Sequence, residues 1–181
     1  MGTVFLIMIV ILFFLAISDL IVGVSNDAVN FLNSAIGSKT ATFKTIMIIA
    51  TLGILFGASF SSCMMEVARK GIFHPQNFYF SEILIIFLAV MITDVILLDL
   101  FNTFGMPTST TVSIVFELLG AAVAISLIKV NGENLLGFEM SDLINSAKAL
   151  TIISGILLSV VFAFVSGLIA QFVGRLVFTF N

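Results

Sequence analysis

The chain has 181 residues, 60% of them hydrophobic and 9% charged, with a formal net charge of −3 at pH 7. Its mean hydropathy is +1.28. A soluble domain carries about 25% charged residues, and one of this size buries only about two-thirds of its surface, so a water-soluble fold is excluded and an integral membrane protein is expected.

A spanning helix needs about 20 mostly apolar residues. Met1 to Ser18 is uncharged, and its apolar run continues past Asp19 to Val24. No Lys or Arg precedes Lys39, so this segment lacks the basic start of a signal peptide and should remain a membrane helix. Residues 23–38, GVSNDAVNFLNSAIGS, then gather one aspartate, three asparagines and three serines. Thr45 to Met65 is uncharged and leads to the basic turn Arg69-Lys70, with Gly71 as a stop signal. Ile83 to Phe104 is apolar around Asp94 and Asp99, and Thr110 to Ile128 is apolar around Glu117. Ala149 to Gly174 is the longest uncharged run. The expectation is an all-α, polytopic membrane protein with five hydrophobic segments forming a single transmembrane domain over 1–181. Strands are not expected, because no segment shows the period-two alternation of a membrane barrel.

Residues 66–82 and 129–148 read as ordinary polar loops, with Pro75 and Asn131-Gly132 as turn signals. The connections around 23–44 and 101–113 differ. The second carries no charge at all. Non-helical backbone at membrane depth is tolerated where it is buried in protein or lines a cavity, so both stretches are candidates for broken or re-entrant segments. Gly53, Gly57 and Ser61, and again Gly155, Ser159, Ala163 and Gly167, form small-residue ladders that suit helix packing in lipid. Cys63 and His74 are each single, so neither an internal disulfide nor a Cys/His metal cluster is expected.

Ionisable groups inside a membrane are costly and usually functional. Asp19, Asp94, Asp99 and Glu117 can be read either that way or as interfacial acids and protonated carboxyls bonded to a neighbour. Asp27 is set apart by Ser25, Asn26, Asn30, Asn33 and Ser34 around it. A carboxylate amid neutral oxygens is what a hard cation needs in place of its water shell. In GMPTSTTVS, residues 105–113, Pro107 suits a first helical turn, while Thr108, Ser109, Thr110 and Thr111 offer hydroxyls over free backbone N–H groups. Such a helix start suits an anion. Thr110, Ser113 and Glu117 fall on one helical face with Gly120, Ala121 and Ala124, a stripe that could carry a polar path or simply pack. One stretch thus suits a small cation and the other an anion, with no arginine clamp at either.

At these two stretches the chain resembles the inorganic phosphate transporter (PiT) family of Na⁺- or H⁺-coupled phosphate symporters. Gly23-Val24-Ser25-Asn26-Asp27-Ala28-Val29-Asn30 is similar to the family's Gly-Ala-Asn-Asp-Val-Ala-Asn-Ala signature, with one extra residue after the glycine. Gly105-Met106-Pro107-Thr108-Ser109-Thr110-Thr111-Val112-Ser113 is similar to its Gly-Leu-Pro-Val-Ser-Thr-Thr-His-Ser motif, with Val112 in place of the histidine. The resemblance covers roughly Ile17 to Ile128. It implies one half of an inverted-repeat transporter in the cell (inner) membrane. Ser109, Thr110, Thr111, Asn26 and Asn30 would then contact phosphate, and Asp27, Asn26, Ser25 and Asn30 a cation. Only one copy of each motif is present, so the partners expected are phosphate, Na⁺ or H⁺, the lipid bilayer and a second half or second chain. No cofactor, resident metal or nucleic acid is expected. A passive ion channel or a noncatalytic scaffold are the competing functions. An intramembrane hydrolase is not expected, since no Ser-His, His-Glu or Gly-x-Ser-x-Gly arrangement is present.

Overall fold

The computed structural model describes residues 2–61, 71–106, 108–132 and 137–179. The described residues are helical apart from turns and a single bridge. Helix α1 runs Gly2–Gly37, α2 Phe43–Ser59, α3 Phe80–Phe104, α4 Thr110–Asn131, α5 Met140–Leu143 and α6 Ser146–Phe178. Among these, α1, α3, α4 and α6 are long and apolar enough to cross a membrane, and α2 is a shorter apolar helix of 17 residues. Each of the five expected hydrophobic segments therefore contributes a helix. The chain divides into two compact units, Met1–Asn145 and Ser146–Asn181. The second unit holds the single helix α6, with Arg175 in its last turn.

In the first unit, α1 packs chiefly on α3, and α3 on α4. Helices α1 and α3 run parallel and in constant register: Phe5 meets Phe80 edge-on at 5.7 Å, and Asn26 meets Asn102 near the other end. The less exposed face of α1 steps by three and four residues through Met8, Leu12, Leu15, Asp19, Val22 and Asn26, the spacing of a coiled-coil seam. Opposite it, α3 buries Leu84, Ile86, Val90, Asp94 and Leu98. Helix α4 adds Val115, Leu118, Ala122 and Ser126. With lipid tails as the alternative surroundings, close packing and hydrogen bonds hold these helices together more than apolar burial does. Gly120 and Ala124 are exposed, so within this unit α4 packs through Val115, Leu118, Ala122 and Ser126 rather than through its small-residue stripe.

Two sequence expectations need correction. The break expected within 23–44 falls only at 38–42: α1 carries the polar motif unbroken to Gly37 as one 36-residue helix, about 54 Å long at 1.5 Å per residue. Nothing there obliges the backbone to open. The Ser25 hydroxyl bonds back to the Ile21 carbonyl at 2.8 Å, and Asn26, Asp27 and Asn30 find partners on neighbouring elements. Asparagine costs a helix only about 0.7 kcal/mol, which such partners offset. The helix ends about two turns past Asn30, where Ser38 N–H bonds the Ser34 carbonyl and Lys39 takes a left-handed φ of 52°.

The loops 66–82 and 129–148 are also not simply polar. Ile72, Phe73 and Phe78 from one, with Leu143 and Ile144 from the other, are buried. A bridge pairs Phe73 with Ile144, and the Asn77 side chain donates to the Asp142 carbonyl at 2.7 Å. Lys129 donates to Glu82 at 2.8 Å and to the Asn77 carbonyl at 2.9 Å, with its ammonium 4.6 Å from the Tyr79 ring centre. This knot closes the end of the α3–α4 hairpin remote from the two motifs. Helix α2 stops at Ser59, with Ser61 bonding the Ala58 carbonyl. The expected basic turn at Arg69-Lys70 lies outside the described residues.

Candidate functional site

Helix α3 ends at Phe104 and α4 starts at Thr110, so the second motif does fall at an interruption. Its geometry follows from local rules. Gly105 adopts φ 65°, a left-handed conformation that glycine takes without a Cβ penalty. Gly105 N–H then bonds the Asn102 carbonyl and Met106 N–H the Phe101 carbonyl, which together make a Schellman end to α3. Ser109 caps α4, its hydroxyl accepting from Val112 N–H at 3.4 Å. Pro107, expected in the first turn, lies outside the described residues, and α4 itself starts at Thr110, beyond it.

The parallel register of α1 and α3 delivers the polar face of α1 to this turn. Asn26 Nδ2 donates to Asn102 Oδ1 at 3.0 Å, and Asn102 Nδ2 donates to the Val22 carbonyl at 3.2 Å. Asn30 Nδ2 reaches the Thr108 carbonyl at 3.3 Å. Thr110 Oγ1 donates to Asp27 Oδ2 at 3.2 Å. The two motifs therefore touch, Asp27 of one against Thr110 of the other. A Cβ on Gly23 would meet Thr110 Cγ2 at 3.7 Å and Leu98 Cδ1 at 3.8 Å, an ordinary contact, so α1 lies against the hairpin without needing a glycine there.

Not every candidate is gathered. Ser25 is exposed and turned back along its own helix. Asn33, Ser34 and Thr111 are exposed. Ser109 is engaged in the cap of α4. The sequence reading missed Asn102, which links α1 to the turn through both its side chain and its backbone. Its signal was a lone amide just before a glycine helix stop. A small cleft of about 80 Å³, lined by Asn26, Val29, Phe101, Asn102, Gly105 and Met106, opens beside these residues. That is room for about two or three waters. Asn26 is 2% exposed, yet its Oδ1 receives no hydrogen bond among the described residues. A buried acceptor left in this state costs about 1–3 kcal/mol, which a bound cation or water would recover.

Further along the same seam lie Asp19, Asp94 and Glu117. Asp94 is within hydrogen-bonding reach of Asp19, and Glu117 is close enough to act electrostatically on both. Ser113 donates to Glu117 Oε1 at 2.8 Å, so the face shared by Ser113 and Glu117 is polar in fact. No group of three His, Cys, Asp or Glu residues placed to hold a metal ion occurs among the described residues.

The sequence model of the phosphate transporter family matches residues 23–180. A protein of Thermococcus kodakarensis, provisionally named as a phosphate permease, is 34% identical over 101 residues, 55% of this chain and 25% of its own length. Similarly named proteins of Pyrococcus furiosus and Pyrococcus abyssi are each 33% identical over 101 residues, covering 55% of this chain and 24% and 25% of their own lengths. The matched stretch thus spans about a quarter of these relatives. No solved structure matches the chain.

Proposed function

The chain belongs to the phosphate transporter family, and on that premise we propose that it supplies one half of the substrate site of a cation-coupled phosphate symporter. It is an integral membrane protein with four helices long enough to span among the described residues, and the cell membrane is its location. The family is one of transporters rather than enzymes. The observation that carries the proposal is the contact between Asp27 and Thr110 at 3.2 Å, which joins a cation-type motif to an anion-type motif.

That adjacency supplies a coupling mechanism. Phosphate held by the hydroxyls of Ser109, Thr110 and Thr111 would sit close to the Asp27 carboxylate. Two like charges roughly 5 Å apart, at an effective dielectric near 20, repel by about 3 kcal/mol, on the order of a hundredfold in affinity. A cation on Asp27, helped by the free Asn26 oxygen and by Asn30, removes that repulsion. Phosphate would then bind well only with the cation, and the two would leave together. In this reading residues 1–181 act as one transmembrane domain. The opposite wall comes from a second, inverted half, in a longer chain or a second chain.

The test is phosphate uptake into vesicles holding the chain at high density, with and without an imposed Na⁺ or H⁺ gradient. Saturable uptake driven by one of the gradients is expected. Conductance without stoichiometric coupling would support the channel reading instead, and absence of phosphate binding at any density would overturn the proposal.

A further inference from the structure

Asp94 is fully buried, and neither of its carboxyl oxygens has a hydrogen-bond partner among the described residues. Its reach is to Asp19 of α1, with Glu117 of α4 close by. Asp19 Oδ1 and Glu117 Oε2 are likewise buried without a donor. Three carboxyls from three helices thus converge inside membrane-spanning segments. They sit some eight residues along α1 from Asp27, about 12 Å, toward the apolar body of the helices and away from the turn.

Charge decides what such a trio can be. Helices α1 and α3 contain no Lys or Arg, and the single basic residue of α4, Lys129, is engaged by Glu82 at the remote end. Lys39 and Lys44, before and at the start of α2, are exposed. Of the other acids on the packed helices, Asp99 is exposed and Asp27 is taken up by Thr110. On the three helices that bring these carboxyls together, no cation faces them. Two carboxylates within hydrogen-bonding reach in a poorly solvated seam, with a third nearby, would be strongly unstable, and like-charged pairs at contact relieve this by sharing a proton. The trio is not arranged around a metal ion. A proton needs no coordination shell: the O–H of Asp19 or Asp94 donates to an oxygen of the other, giving that oxygen the donor it lacks.

We propose that Asp19, Asp94 and Glu117 form a proton-binding site within the membrane seam, separate from the Asp27 site. Ser113 orients it by donating to Glu117. Proton binding itself stands without the transport reading. Its use as the coupling step rests on that reading, and would make the proton the driving ion, passed between this trio and the phosphate site about two helical turns away.

The test is infrared spectroscopy of the full chain in lipid vesicles, with neither phosphate nor a gradient present, so that its outcome is independent of transport. At neutral pH the wild type should show the carbonyl stretch of a protonated carboxyl, shifting on hydrogen–deuterium exchange and lost on alkaline titration. Asp94→Asn should abolish the band, and Asp27→Asn should retain it. Should Asp94→Asn lose its helical circular dichroism, Asp19→Asn and Glu117→Gln serve instead, each expected to diminish the band. A carbodiimide specific for protonated carboxyls should label the trio, less so as pH rises. A wild type without the band at neutral pH, or a band unaltered in all three variants, would overturn the site. Loss of the band on adding sodium at constant pH would equally overturn it, assigning the trio to a metal cation.

Discussion

The Thr110 hydroxyl donates a hydrogen bond to Asp27 across 3.2 Å, between residues 83 positions apart in the chain. Through it the start of α4 and the middle of the polar face of α1 are held together.

Asp27→Asn should keep the shape of the contact, since an amide oxygen still accepts from Thr110, while removing the charge. A hydrogen bond to a charged group is worth about 1.5–3 kcal/mol against about 0.5–1.5 for a neutral one. The folded chain should therefore lose little stability, but the cation dependence of phosphate binding should flatten. The measurement is phosphate binding against cation concentration in the variant; an unaltered cation dependence with normal folding would remove Asp27 from the site.

Thr111→Val and Ser109→Ala should each weaken phosphate binding, by about 1.5–3 kcal/mol if the hydroxyl meets a charged oxygen. Ser109→Ala should in addition cost about 1 kcal/mol of stability through the lost cap. Titration of phosphate and thermal unfolding of both variants separate the two effects. Wild-type affinity in both would count against the anion site.

Asn102→Ala should destabilise the first unit by about 1–3 kcal/mol, because it strips the buried Asn26 of its acceptor and releases the Val22 carbonyl. Replacing Asn26 and Asn102 together by leucine should recover most of that stability, since neither is then left unsatisfied, while phosphate binding stays impaired. Thermal melts of the single and double variants in the same detergent decide it.

Lys129→Met should loosen the end of the hairpin remote from the motifs, leaving Glu82 and the Asn77 carbonyl without the ammonium they share. The expected loss is about 1–3 kcal/mol, with phosphate affinity unchanged. Hydrogen exchange at the start of α3 reads the local opening. A drop in phosphate affinity without loss of stability would place Lys129 in the binding path.

The chain at densities where it is monomeric should not take up phosphate. The sequence holds one Asn-Asp motif and one Ser-Thr-Thr motif, where an inverted-repeat transporter would bring a second pair from its other half. Gly53 and Gly57 on α2, with Ser61 just beyond its end, are exposed and offer one seam for that half. Single-molecule counting alongside uptake provides the check; saturable, cation-driven uptake by proven monomers would end the half-transporter reading.

Local rules carried much of this molecule in plain view. Five apolar lengths, a glycine stop at Gly105, a serine cap at Ser109 and two polar motifs are properties of short stretches. Hydrophobic length and capping act within a few turns, so they can be read without knowing the neighbours. The continuity of α1 is not a local property, because the polar residues at 23–37 fit a helix only through their partners on neighbouring elements. What tertiary structure alone decided is which faces meet. In water, an apolar stripe marks the buried side of a helix. In lipid, both sides are apolar, and α1 or α3 alone does not say which way it turns. Asp19 and Asp94 stand 75 residues apart, as do Phe5 and Phe80, and only the parallel packing of α1 on α3 turns that spacing into a register. Asn102 became part of the site for the same reason, since a lone amide at a helix end acquires a role only when another helix brings Asn26 to it.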